Sequence, residues 1–233
     1  MSRLTLQLQR ANSRESPEGI IASIPKLTML PAKDYVGVTA NDPIRFYHWP
    51  IIGWMYRRRV ELCLAECEGG ERVLEVGFGS GVTFMNLHER YEEIYGLDLN
   101  AKVDAVKALF EKKGVKTFLQ NGNVMEMPYP DSFFDTILLI SILEHLKPNE
   151  QTKAFHEISR VLRPKGQVVY GVPVERPMMT FMFRVLGYNI RKYHHSTEKD
   201  VEAAAREFFS KKRMTNLNTP FGAVYQVGSF YKD

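Results

Sequence analysis

The feature that most constrains this chain is a run of nine residues, Val73-Leu74-Glu75-Val76-Gly77-Phe78-Gly79-Ser80-Gly81. An apolar stretch carrying one acid, then glycine at alternate positions, is the pattern of a buried strand feeding a tight turn. The missing Cβ atoms let the main chain come close to a ligand. Val82 to Leu87 can open a helix. The next apolar run, Ile94-Tyr95-Gly96-Leu97, ends in a second acid, Asp98. A glycine turn followed by an acid at the end of the next strand is suited to holding a nucleoside, the carboxylate accepting from ribose hydroxyls. The dinucleotide fingerprint needs glycine at its first, third and sixth positions. Gly77 and Gly79 supply the first two, but the sixth position is Val82 and the third glycine is Gly81. The Lys-Ser/Thr ending of a phosphate loop is also missing.

The form E-x-G-x-G-x-G followed by Gly96-Leu97-Asp98 resembles the class I S-adenosylmethionine (AdoMet) methyltransferases. Residues 121–135, NGNVMEMPYPDSFFD, resemble that family's G-[DN]-A-x-x-L-P-[FY]-x-D-x-x-F-D segment. Residues 141–146, SILEHL, resemble the V-L-E-H-L that follows its fourth strand, and residues 157–167, EISRVLRPKGQ, resemble its E-x-x-R-V-L-K-P-G-G helix end. These segments stand in the expected order over residues 70–172, and they are similar to the subgroup containing ubiquinone-biosynthesis-type methyltransferases. Asn123 replaces the commoner aspartate, and Lys165 interrupts Pro-Gly-Gly.

A length of 233 residues suits one domain with a decorated edge. The net charge of +4 is too mild to imply nucleic acid. Cys63 and Cys67 lie four apart on a predicted helix and join its apolar face, which suits core packing in a reducing compartment; a cytoplasmic location is expected. No apolar run reaches the ~20 residues that a bilayer span needs. Met1 to Arg14 carries three arginines and no acid, but Leu4, Leu6 and Leu8 alternate with period two, which is wrong for a targeting helix.

Residues 1–52 read as an N-terminal arm or cap with several prolines, and residues 53–233 as the main domain with a cap insertion near 173–195. Residues 53–68 read as a helix with Tyr56, Val60, Cys63, Leu64 and Cys67 on one face. Its Arg57-Arg58-Arg59 run reads as solvated surface. Strands are expected at 72–77, 93–97, 116–120, 135–140 and 167–171, with helices between them. Asn100 and Asn149 are the expected helix caps. Thr197-Glu198-Lys199-Asp200 reads as a capping box, with strands near 211–217 and 223–231 closing the chain. Apolar strands spaced by helices imply an α/β fold, a doubly wound parallel sheet covered on both faces. The resemblance implies seven strands ending in an antiparallel hairpin.

The resemblance also implies AdoMet as cofactor. Gly77, Gly79 and Gly81 would let the main chain pass under it, and Glu75 would meet its ammonium. Asp98 would hold both ribose hydroxyls, with helix capping as its alternative role. Leu99 would lie on the adenine face. Asn123 would accept from the adenine amino group, Val124 would donate from its backbone, and Ser141 would offer its carbonyl. Methyl transfer is an in-line displacement that depends on positioning and needs no metal; no group of residues has metal-ligand spacing. His145 and the pair His194-His195 are candidate bases or structural residues, while His48 and Trp49 are placed to close the site from the arm. His88 and His156 read as packing or surface residues. The acceptor is expected to be a small molecule, and the absence of an N-P-P-[YF] motif weakens amide or base N-methylation. Residues 177–186, PMMTFMFRVL, read as a lid over an apolar acceptor, as a core helix, or as a peripheral membrane contact with Arg176, Arg184, Arg191 and Lys192 near anionic headgroups. The rival functions are a catalytically silent partner subunit of the same fold and an NAD-linked Rossmann enzyme. Oligomeric state and catalytic base cannot be read from the sequence.

Overall fold

The computed structural model describes residues 24–35, 44–50, 52–174, 194–220 and 222–233. The methionine-rich stretch 177–186 and most of the N-terminal arm lie outside the described residues.

Seven strands among the described residues form one sheet: β1 (Gly70–Val76), β2 (Tyr91–Asp98), β3 (Thr117–Asn121), β4 (Phe134–Ile140), β5 (Leu162–Pro173), β6 (Ser210–Thr219) and β7 (Gly222–Tyr231). Their order is β3-β2-β1-β4-β5-β7-β6. The first five run parallel, and β7 is antiparallel to both β5 and β6. The helices are α1 (Ile44–Tyr47), α2 (Ile52–Glu66), α3 (Phe84–His88), α4 (Val103–Glu111), α5 (Pro148–Val161) and α6 (Glu198–Arg206), with 3-10 turns at Ala32–Asp34 and Leu143–His145.

The pleat sorts the apolar strand residues between two cores. Val73, Ile94, Leu138 and Val169 pack with Val60, Cys63 and Leu64 of α2, and with Phe84 and Phe110. Leu74, Ile137, Leu139 and Val168 pack with Phe155 and Ile158 of α5 and Val201 of α6. Each such buried side chain contributes about 1.5–3 kcal/mol. No helix among the described residues is long and apolar enough to cross a membrane.

Some local expectations need correction. Asn100 does not cap α4; the Asp98 carboxylate accepts from the backbone N–H groups of Asn100 and Ala101 at 2.8 and 2.9 Å. Asn149 lies inside α5, whose entry is closed by Glu150 accepting from Lys147 N at 2.8 Å. Leu162 is the first residue of β5 rather than a helix residue. The capping box at Thr197 stands, with the Asp200 carboxylate accepting from Thr197 N at 2.8 Å.

Two side-chain clamps hold the sheet and its loops. Asp135 accepts from Glu71 N and Arg72 N at 2.8 and 2.7 Å and pairs with Arg163 at 2.7 Å, fastening the start of β1 to β4. Arg160 donates to the carbonyls of Met127 and Tyr129 at 2.9 and 2.8 Å and to Asp131 at 2.7 Å, while Glu157 accepts from Met127 N at 2.9 Å. The E-x-x-R pattern on α5 therefore pins the loop that follows β3.

Candidate cofactor and acceptor site

Strand order reverses its direction of growth at β1, whose neighbours are β2 and β4. Crevices at such switch points, outside the carboxyl ends of the strands, are where open α/β sheets take ligands. A cavity of about 550 Å³ lies there. Glu75, Gly77 and Gly79 line it from β1 and its turn, and Asp98 and Leu99 from β2. Asn123 and Val124 line it from the loop after β3, and Ser141 from the end of β4.

Gly81 is the expected site residue that does not line the cavity. The three turn glycines have φ of +73° (Gly77), +50° (Gly79) and +71° (Gly81), a region side chains rarely adopt. A Cβ on Gly77 would stand 2.1 Å from Ile142 Cδ1, and one on Gly81 would stand 2.7 Å from the rings of Phe84 and Phe110. Gly81 therefore serves core packing beneath the turn.

Asp98 has a double engagement. One oxygen holds Asn100 N and Ala101 N, and the other accepts from Gly79 N at 2.9 Å. The carboxylate thus fixes the glycine turn to the following loop. Each oxygen has two lone pairs, so the one facing Gly79 retains a place for a hydroxyl. Asn123 Oδ1 accepts from Met125 N at 3.0 Å, which shapes its loop as an Asx turn. Ser141 has φ +57°, held by its N–H to Gly171 O at 2.8 Å and by a 3.0 Å contact between its hydroxyl and that of Tyr225. Non-glycine backbone of this kind clusters at functional sites. Leu99 is 66% exposed, a large apolar side chain left open at the cavity rim.

The electrostatics of the cavity are uneven. Glu75 is buried, and desolvation raises its pKa to about 8 although the Thr83 hydroxyl donates to it; the nearby Asp98 adds to the rise. Arg59 also lines the cavity, correcting the reading of its triplet as solvated surface. Arg57 donates to the Tyr47 carbonyl and Arg58 pairs with Glu61, but the Arg59 guanidinium lies 4.1 Å from the Tyr56 ring centroid. Burial works against its charge, yet the phenols of Tyr47 and Tyr225 outweigh that and hold its pKa above the ordinary value. Its Nε is buried without a hydrogen-bond partner. Tyr35 and Tyr47 bring the N-terminal segment to the cavity, whereas His48 and Trp49 are exposed and do not line it.

His145 lines the cavity and its ring lies 5.3 Å from that of His194. His195, His88 and His156 are exposed. Glu144, His145 and His194 offer ligand atoms within 4.8 Å of one another, a grouping that spacing in the sequence does not reveal. The sequence signal for Arg59 was equally weak, since a triplet of arginines marks no single one of them. Its place on the apolar face of α2, one residue before buried Val60, is the clue that remains.

Residues 74–170 match the family model described as "Methyltransferase domain". An uncharacterised methyltransferase of Geobacillus thermodenitrificans is 28% identical over 143 residues, covering 61% of this chain and 64% of the relative's length. The chain thus spans less than two thirds of that relative. Among solved structures, the PH0226 protein of Pyrococcus horikoshii superposes with a TM-score of 0.65 at 17% identity, over 83% of this chain and 97% of that one. The N-methyltransferase NodS of Bradyrhizobium japonicum, solved with S-adenosyl-L-homocysteine, gives a TM-score of 0.64 at 15% identity over 86% and 96%. The chain shares the fold of the class I methyltransferases, and its residues 74–170 are similar to the methyltransferase domain that the family model describes.

Proposed function

We propose that this chain is an AdoMet-dependent methyltransferase acting on a small-molecule acceptor, and that the cavity at the β1 switch point is its cofactor site. The observation that carries this reading is the meeting of acidic and basic groups in one cavity: the carboxyls of Glu75 and Asp98 and the guanidinium of Arg59. AdoMet has matching parts, since it presents an ammonium and a sulfonium, two ribose hydroxyls and one carboxylate. The buried Arg59 Nε is an orphan donor that a carboxylate would satisfy.

When bound, AdoMet supplies a methyl group on a sulfonium, transferred by in-line displacement. The chain's own task is orientation and exclusion of water. In this reading Glu75 faces the ammonium, and Arg59 holds the carboxylate. Asp98 accepts from the ribose through the oxygen that also holds Gly79. Leu99 covers the adenine, Asn123 and Val124 meet its edge, and Ser141 offers its carbonyl to the amino-acid end. Gly77 and Gly79 allow close approach. By resemblance of motifs, the ubiquinone-biosynthesis-type enzymes are the subgroup, and residues 173–195 contribute to acceptor choice.

Calorimetry with S-adenosylhomocysteine and with NAD tests the reading. Binding of the first and not the second is expected. Hydrogen bonds to a charged group contribute about 1.5–3 kcal/mol, so Asp98→Ala should weaken binding roughly ten- to a hundred-fold. Unchanged affinity in a folded Asp98→Ala variant removes Asp98 from the site. Tight cofactor binding without turnover on any acceptor would favour a silent partner subunit. Mass identification of small molecules that copurify with the chain addresses the acceptor directly.

A further inference from the structure

We propose that Glu144, His145 and His194 form a binding site for a divalent transition-metal ion on the acceptor side of the cavity. The site itself stands on side-chain geometry; only its use in catalysis rests on the function proposed above. One carboxylate oxygen and one nitrogen from each imidazole lie within 4.8 Å of one another. Ligand atoms sharing an ion at about 2.0–2.2 Å from it stand closer together than this, and side-chain rotation supplies the difference.

The backbone under these groups is fixed by the fold. His195 N and Ser196 N donate to the Glu144 carbonyl at 2.8 and 3.3 Å, and Ser196 Oγ donates to the Leu146 carbonyl at 2.7 Å. Gln151 Nε2 holds the Leu143 carbonyl at 3.0 Å from α5. The segment that carries His194 is therefore stitched to the 3-10 turn that carries Glu144 and His145. A site built on such cross-braced backbone is pre-organised. The burial is graded: Glu144 is 3% exposed, His194 half-buried and His145 exposed toward the cavity.

The donor set selects the ion. Two imidazoles and one carboxylate suit zinc, manganese or ferrous iron, whereas magnesium and calcium favour oxygen ligands throughout. Three protein ligands leave at least one coordination position for water or for a heteroatom of the acceptor. Because His145 lines the cavity, that position adjoins the space where an acceptor must meet the methyl group. The acceptor class that fits is a hydroxyl compound. A bound cation lowers the pKa of a coordinated hydroxyl. The resulting oxyanion attacks the methyl carbon: an O–C bond forms, the C–S bond breaks with its electron pair passing to sulfur, and the hydroxyl proton leaves to water. The free thiols of Cys63 and Cys67 do not compete for the ion, being buried and held protonated by desolvation.

The test uses the full-length, untagged chain freed of metal by chelation. Calorimetric titration with zinc chloride should show one equivalent bound, at least about ten-fold tighter than magnesium chloride. His194→Asn and His145→Asn should each weaken zinc at least about ten-fold, the range that loss of even a supporting group produces. His156→Asn, on the outer face of α5, should leave zinc binding unchanged. Glu144→Gln is the third ligand variant; should it unfold, the half-exposed His194 still carries the test. Absence of stoichiometric zinc binding overturns the site, as does binding that survives both histidine variants; such a result leaves a histidine pair beside a carboxylate. S-adenosylhomocysteine is titrated in parallel. If it binds while zinc does not, only the metal site falls; if the wild-type chain fails to bind it, the proposed function falls independently of the zinc result.

Discussion

At the scale of residues, Glu75 links the fold to the ligand through a proton. Its pKa in the folded chain is about 8 against an ordinary 4.5, so the native state keeps a proton that the unfolded chain releases. Between these values the native state binds more protons than the unfolded one. Stability of the uncomplexed chain must therefore fall as pH rises through that window. Glu75→Gln should flatten the decline and raise the melting temperature at pH 8, measured by calorimetry. A ligand that brings a cation to Glu75 favours its ionised form. Binding of AdoMet at pH 7 should then release close to one proton, read from titrations in buffers of different ionisation heat, and Glu75→Gln should release none. The glycines divide in a different way. Gly81→Ala drives a Cβ into Phe84 and Phe110, so its expected effect is lost stability, by about 1–3 kcal/mol as for other overpacked sites. Gly79→Val should remove cofactor binding, and the circular dichroism of the sheet checks that the fold survives.

At the scale of elements, the two clamps explain why certain polar residues stand where they do. Arg160 and Glu157 sit one helical turn apart on α5 and together hold the loop after β3 that brings Asn123 and Val124 to the cavity. Arg160→Lys keeps the charge but cannot reproduce the fork that reaches Met127, Tyr129 and Asp131 together. Both Arg160→Lys and Arg160→Ala should weaken S-adenosylhomocysteine binding, with hydrogen exchange accelerated at Met127 to Asp131. Loss of affinity without that acceleration would show that the clamp acts elsewhere. Strand and helix identity was legible because it is written locally: β4 ends in the apolar run Ile137 to Ile140, and α6 opens on a capping box. Boundaries were less legible. Asn100 does not start α4 because Asp98, at the end of β2, holds Asn100 N and Ala101 N in the loop before the helix, and the entry to α5 uses Glu150 reaching back to Lys147 rather than the nearer Asn149.

At the scale of the whole molecule, what the sequence conceals is which distant segments share the cavity. The glycine turn and Asp98 lie within one β-turn-α-β stretch, so spacing alone brings them together. Arg59, Tyr35 and Tyr47 arrive at the cavity from the N-terminal part of the chain, and His194 arrives from beyond β5 to stand beside His145 of the cavity wall; no local period reports such meetings. Because these groups span the chain, ligand binding should stabilise the molecule as a unit. A ligand at a hundred times its Kd stabilises the folded state by about 2.7 kcal/mol. For a chain of this length each kcal/mol raises Tm by about 2–4 °C. S-adenosylhomocysteine at that concentration should therefore raise Tm by roughly 5–10 °C. At the same concentration, a ten- to hundred-fold weaker Asp98→Ala variant retains only about 0.4–1.4 kcal/mol of stabilisation, so its shift should be between roughly a seventh and a half of the wild-type value. NAD at equal concentration should produce none. A shift by NAD that matches or exceeds that of S-adenosylhomocysteine would return the cavity to dinucleotide chemistry, despite Val82 at the sixth fingerprint position. A full shift in Asp98→Ala would mean that Asp98 serves only the glycine turn and the loop before α4.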